Sequence, residues 1–228
     1  MPDTETAEGP QTAGTVATAE HGGPVGPIAA PVRDLTGISL RAPGLVLREF
    51  GEADLDVITE ACQDELIQRY TTLPSPYSRS DAEKFVLEIS PKGRAAGTDA
   101  VFGVFEAGGA GDLAAWGGLV GAVGMHRIAH LDAPFGGNGE LGYWTAPWAR
   151  RRGLTARAAA AVCRWGLDEL GLARIEWYAV AGNEGSWGVA RRCGFVREGT
   201  LRAWLVHRGA RHDAWAASLL PGELPDPV

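Results

Sequence analysis

The chain has 228 residues, 45% of them hydrophobic, enough to bury the core of one well-packed domain. A formal net charge of −7, with Lys84 and Lys92 as the only lysines, is the opposite of the basic footprint that a general nucleic-acid binder needs. There is no run of about 18 apolar residues, and the N-terminus is acidic and polar, so neither a membrane-spanning helix nor a secretory leader is expected.

Residues 1 to about 36 are rich in Gly, Pro, Thr, Ala and Glu and lack aromatics. Such a segment buries too little apolar surface to offset its ordering entropy, which predicts a disordered tail. A folded domain is expected over residues 37–222, with a loose tail at 223–228. Residues 45–50 read as a strand and 52–62 as a helix. Ser80 and Glu83 fit a capping box, opening a helix that buries Ala82, Phe85, Val86 and Ile89 on one face. Pro91 disfavours helical geometry at Ser90, so this helix is expected to stop there. Strands follow at 100–106, 119–128 and 140–145, separated by a Gly-rich turn at 108–112 and a Gly/Pro loop at 131–139. A turn at 146–153 leads into a helix at 154–170. Its Ala159, Cys163, Gly166, Leu167 and Leu170 share one face, and Gly171 is its stop signal. A strand at 174–180, a short helix at 184–193 capped by Gly194, and strands at 195–207 and 211–218 complete the order. The last two are joined by the Arg208-Gly209-Ala210 turn as a hairpin. The result is a mixed α/β domain.

Cys62, Cys163 and Cys193 are far apart, odd in number and without C-x-x-C spacing, and the five histidines form no metal pattern with them. Reduced thiols and no metal are expected. Abundant Ala, Gly and Arg with so little Lys points to a GC-rich coding genome. Most of the eight tryptophans are expected in the core, while Trp204 and Trp116 are candidates for lining an acceptor groove.

The chemistry concentrates between residues 140 and 170. Arg150, Arg151, Arg152 and Gly153 stand directly before a helix, whose first amides and positive dipole end suit an anion. Gly153 lets the backbone come close, and arginines reach phosphate oxygens. A diphosphate cradle and a plain solvated basic turn both fit this spacing. Neither G-K-[ST] nor G-x-G-x-x-G is present there.

Glu140-Leu141-Gly142-Tyr143-Trp144-Thr145, followed by Pro147 and Arg150-x-x-Gly153-x-Thr155, resembles the GNAT superfamily of N-acetyltransferases. A second block, Asn183-Glu184-Gly185-Ser186 through Cys193-Gly194-Phe195 to Glu198-Gly199, resembles the branch that acetylates ribosomal-protein N-termini (RimJ/RimL-like). Thr155 departs from the Gly or Ala of the family pattern. The resemblance spans roughly residues 45–220 and implies a mostly antiparallel sheet with two central splayed parallel strands, 140–145 and 174–180, flanked by about four helices. It implies a bacterial, cytoplasmic enzyme using acetyl-CoA as acyl donor. The pantetheine would lie along Tyr143, Trp144 and Thr145. The pyrophosphate would meet Arg150, Arg151, Arg152, Gly153, Leu154, Thr155 and Ala156, and Asn183 and Ser186 would also contact the donor.

An amine attacking a thioester must be neutral, which costs an alkylammonium roughly 4 kcal/mol at neutral pH and an α-amine only about 1 kcal/mol. Glu140 is the candidate proton acceptor, directly or through water, with His126 in reserve. A backbone amide of the 140–145 strand is the candidate oxyanion donor, and Ser186 the candidate partner of the leaving thiolate, both by resemblance. The acceptor is expected to be a small-molecule or peptide amine; the acidic balance favours a cationic one. A homodimer is left open, and a non-catalytic acetyl-CoA sensor or another kind of nucleotide-binding domain are the alternatives.

Overall fold

A computed structural model describes residues 33–107 and 118–226. Eight strands form one sheet: β1 (Leu40–Ala42), β2 (Leu45–Arg48), β3 (Ala100–Glu106), β4 (Leu119–Ala129), β5 (Gly137–Thr145), β6 (Leu172–Val180), β7 (Val196–His207) and β8 (Ala210–Leu219). Their spatial order is β1-β2-β3-β4-β5-β6-β8-β7, and every neighbouring pair is antiparallel except β5–β6. The helices are α1 (Leu55–Ala61), α2 (Glu65–Tyr70), α3 (Arg79–Lys84), α4 (Ser90–Ala95), α5 (Leu154–Asp168) and α6 (Glu184–Arg192).

Helix α5 lies against β4, β5 and β6 on one face of the sheet. Its Gly166 lets the backbone settle onto Met125 and Ile175; an added Cβ would stand 3.1 Å from Met125 Cε. Trp165 packs edge-on against Phe102 at 5.6 Å on the same face. On the opposite face of the sheet Phe50 meets Phe85, just after α3, and Phe105 edge-on. The alternation along β4 and β5 follows from this layering. Met125, Val123 and Leu141 are buried toward α5, whereas His126 and Glu140 face the other way, half-exposed.

Several expectations need correction. The N-cap of α3 is Ser78, with Asp81 completing the capping box, in place of Ser80 with Glu83. The helix does not stop before Pro91. A π turn at Phe85–Ile89 carries it into α4, with Ser90 N–H donating to Phe85 O. That extra residue in the turn lets the chain pass a residue with no N–H to donate. The same turn rotates Ile89 outward, 53% exposed, while Ala82 and Val86 stay buried. Strand β1 and helix α2 are additions to the expected order. The Gly-rich turn at 108–112, Trp116 and residues 1–32 lie outside the described residues.

Residues on either side of 37–222 also contact the domain. Leu35 is fully buried, and Arg94, also fully buried, donates to Leu35 O at 2.9 Å and to Val101 O at 2.7 Å. At the other end, Arg164 donates to Pro225 O at 3.1 Å, and Glu223 O passes so close to Gly194 that a Cβ there would meet it at 2.4 Å.

Candidate active site

The register of the parallel pair decides where the sheet opens. β5 and β6 are matched at Gly137↔Leu172, Asn138↔Arg174, Gly139↔Ile175 and Glu140↔Glu176, and no further. From Leu141 onward β5 stays paired with β4 on one edge, while its other edge has no strand partner and diverges from β6. The two strands thus enclose a wedge whose apex is Glu140 beside Glu176.

Opposite surfaces of the wedge carry different chemistry. On the α5–α6 side, Tyr143 reaches from β5 to α6. Its hydroxyl donates to Ser186 O at 2.7 Å and accepts from Ser186 Oγ at 3.1 Å and from Trp177 Nε1 at 2.9 Å. Burial pushes the Tyr143 phenol well above its ordinary value, so it stays a neutral donor at physiological pH. Asn183 Oδ1 accepts from Ser186 N at 3.1 Å, which fixes the start of α6 and hence Ser186. Asn183 therefore serves as the helix cap, and its Oδ1 is committed to that bond.

On the other side, Glu140 is 21% exposed and lies 2.9 Å from Arg127 Nη1. Burial raises its carboxyl above the ordinary range; Arg127 and His126 oppose that rise, and Glu176 adds to it. Arg127 sits at φ +51° in the bulge where β4 and β5 slip register after His126↔Glu140. The bulge turns its guanidinium onto the carboxylate. His126 is held by Asp99, Nδ1 to Oδ1 3.1 Å. The His126 contact, before an opposing burial effect, holds the Asp99 carboxyl below the ordinary range. The imidazole lies over Gly124 and Gly142, where added Cβ atoms would stand 2.7 and 3.1 Å from Nε2. Two glycines are thus the seat of this ring.

At the wide end of the wedge, α5 begins at Gly153, with φ +73° and no side-chain cap on its first amides. An added Cβ at Gly153 would meet no atom within 4 Å, so the turn is open in front. Its arginines are placed differently from the sequence expectation. Arg150 is paired with Asp64, the N-cap of α2, at 2.5 and 3.1 Å, and Arg152 with Glu106 at 2.5 Å. Arg151 is exposed, at φ +62°. Burial opposes the effect, yet the Arg150 guanidinium and the amides of Ile67 and Leu66 hold Asp64 below its ordinary value. Two arginines thus brace the turn against α2 and β3, while Arg151 is left exposed beside the uncapped first amides of α5. Thr155, the departure from the family pattern, is buried and shares a 2.6 Å hydroxyl–hydroxyl bond with Thr145, tying the end of β5 to α5. Its side chain therefore turns back to the sheet.

Residues 44–196 match the acetyltransferase (GNAT) domain family. The chain belongs to the GNAT acetyltransferase family. YdaF of Bacillus subtilis strain 168, named as a candidate ribosomal N-acetyltransferase, is 33% identical over 107 residues, covering 47% of this chain and 56% of that protein. The chain spans about half the length of the curated relatives it matches. Among solved structures, Mycobacterium smegmatis RimJ, in complex with CoA-disulfide, superposes with a TM-score of 0.69 at 20% identity, over 83% of this chain and 89% of that one. A ribosomal-protein-S5-alanine acetyltransferase from Vibrio fischeri superposes with a TM-score of 0.67 at 19% identity, over 83% and 100%. At that identity these two show the shared fold alone.

Glu198 and Cys193 of the second block, and Cys163 on α5, have structural roles. Glu198 accepts from Arg174 at 2.6 and 2.9 Å and from Ser218 at 2.7 Å, clamping β7 to β6 and β8, and these bonds lower its carboxyl to about 2. Cys163 and Cys193 are buried, and burial raises both thiols. Trp204 is 54% exposed and tilts over Tyr178 at 6.2 Å, on the Glu140 side of the sheet. Sequence reasoning missed a cavity of about 830 Å³ between α2, the loop after β6 and the β7–β8 hairpin. It also missed the side-chain role of Tyr143, which is invisible until α6 is folded against β5.

Proposed function

We propose that this protein is an acetyl-CoA-dependent N-acetyltransferase acting on a primary amine, either a protein N-terminus or a small molecule. The observation that carries the reading is the wedge: where β5 and β6 part, a hydroxyl pair lies on one face of the sheet and a partly buried carboxylate on the other. The uncapped α5 start supports anion binding, so the amides of residues 150–156 would hold the donor's pyrophosphate. The unpaired edge of Tyr143, Trp144 and Thr145 would take its pantetheine by strand-like pairing. Bound there, acetyl-CoA supplies an electrophilic thioester carbonyl.

Glu140, with its carboxyl raised by burial, is suited to take the proton from the attacking amine. A backbone amide on the open edge of β5 would stabilise the oxyanion. The C–N bond forms, the C–S bond breaks, and the thiolate would be met by the Ser186 hydroxyl, which turns to it from its bond to the Tyr143 hydroxyl. His126, oriented by Asp99, is the second proton acceptor within reach of the same face. The test is release of free thiol from acetyl-CoA with a panel of peptide and small-molecule amines, alongside calorimetric binding of CoA. Turnover with at least one amine is expected. CoA binding with no turnover on any amine would favour the sensor reading instead.

A further inference from the structure

The 830 Å³ cavity has a lining whose charge opposes that of the chain. Arg69 on α2, Arg208 at the hairpin tip, and His207 and His212 on the hairpin strands surround it, against the single carboxylate of Glu65. Two of the five histidines of an otherwise acidic protein converge here, their rings 6.3 Å apart. His207 Nε2 is buried without a hydrogen-bond partner among the described residues. A buried polar atom of that kind calls for a complementary group. Arg208 donates through Nε and Nη2 to Gln68 O, at 3.3 and 2.6 Å, which holds its guanidinium at the cavity wall and leaves its Nη1 edge for another acceptor. The wall opposite is the end of β6 and the loop after it, through Val180, Ala181 and Gly182. The cavity therefore adjoins the strand that bounds the wedge.

We propose that this cavity is a subsite for an anionic group of the acceptor: the side-chain carboxylate of a peptide whose N-terminal amine is acetylated. The inference rests on the acetyltransferase reading above. Spacing defines the acceptor. Glu140 lies beside Glu176, and Val180 is four residues further along β6, about 13 Å at the rise of a strand. An extended peptide covers about 3.3–3.6 Å per residue. An acidic side chain at the third to fifth residue reaches the cavity while the terminal amine stays at the wedge. In a free amino acid, amine and carboxylate flank one carbon and cannot occupy both places. Local charge thus outweighs the net −7, which by itself favours a cationic acceptor.

The test uses the full chain, acetyl-CoA and pentapeptides that differ only in carrying Glu, Gln or Lys at the fourth position, with free glutamate as a further arm. The Glu peptide is expected to exceed the Gln peptide about tenfold in kcat/KM, mainly through KM, with the Lys peptide slowest. Arg69→Gln and Arg208→Gln are each expected to bring the Glu-to-Gln ratio toward one, and Arg69→Glu to favour the Lys peptide. A ratio taken within one preparation does not depend on the fraction folded. Equal rates on the three peptides, a preference that survives both Arg→Gln variants, or faster acetylation of free glutamate would each overturn the subsite. Neutral peptides acetylated without preference would leave the acetyltransferase reading standing. Failure of every amine would remove both.

Discussion

The two surfaces of the wedge between β5 and β6 form a pair of opposites. The α5–α6 side is nearly uncharged: Tyr143, Ser186 and Trp177 share one hydroxyl-centred network whose phenol burial keeps protonated. The other side is a row of ionisable groups, Glu140, His126, Asp99, Arg127 and Glu176, in which burial and Glu176 raise the Glu140 carboxyl while Arg127 and His126 lower it. A thioester aminolysis needs both, a donor for the sulfur and an acceptor for the amine's proton. Splaying a sheet is a way to present the two on opposite sides of one bond.

The sharpest way to break this contrast is Glu140→Gln. Loss of a positioned general base is expected to lower kcat/KM by about a thousandfold, with CoA affinity by calorimetry little changed. Because the base works ionised and its carboxyl is raised, the acid limb of the pH–rate profile should lie above the ordinary value of 4.5 and vanish in the variant. If the limb persists in Glu140→Gln and disappears in His126→Asn, the base is His126.

Gly121→Ala tests what holds the splayed half of β5. Gly121 has φ +155°, and a Cβ there would stand 2.2 Å from Trp144 O, a backbone atom that cannot yield. A stability loss of about 3 kcal/mol in denaturant unfolding is expected.

Ser186→Ala probes the uncharged side. It removes one donor to Tyr143 and the hydroxyl proposed to meet the leaving sulfur, and about a tenfold fall in kcat is expected, with KM for the amine retained. Tyr143→Phe should act in the same direction, and the double variant should cost less than the product of the two because the groups are hydrogen-bonded. Strictly multiplicative losses would mean that they act separately.

The smallest effect is expected from Arg127→Ala. Arg127 lowers the Glu140 carboxyl, so its removal should move the acid limb to higher pH with little change in the plateau rate. A shift to lower pH would contradict the assigned charge balance.

Particular elements show what sequence pattern carries and what it loses. Strand β3 and the start of α5 fall where a short apolar run and Gly153 place them, because both are local signals. Strand β1 and helix α2 escaped notice: three and six residues are too few to display a period. Ser78 and Ser80 offer the same hydroxyl two residues apart, and only packing of the helix selects the first as cap. The arginine turn was visible as basic, but its partners Asp64 and Glu106 are 86 and 46 residues away in the chain.

Composition and motif spacing alone were enough for the α/β class, the GNAT resemblance, and Glu140 and Ser186 as the groups of interest, since these depend on residue type at short range. The tertiary structure decided where each group sits and what it bonds. Strand register ends the parallel pair at Glu140, the cap of α6 brings Ser186 to Tyr143, and α2, the loop after β6 and the hairpin border an open cavity that sets Arg69 and Arg208 against Glu65 in an acidic protein. Such outcomes are set by contacts between distant segments. Only the folded sheet brings together carboxylates, hydroxyls and guanidiniums that the chain keeps dozens of residues apart.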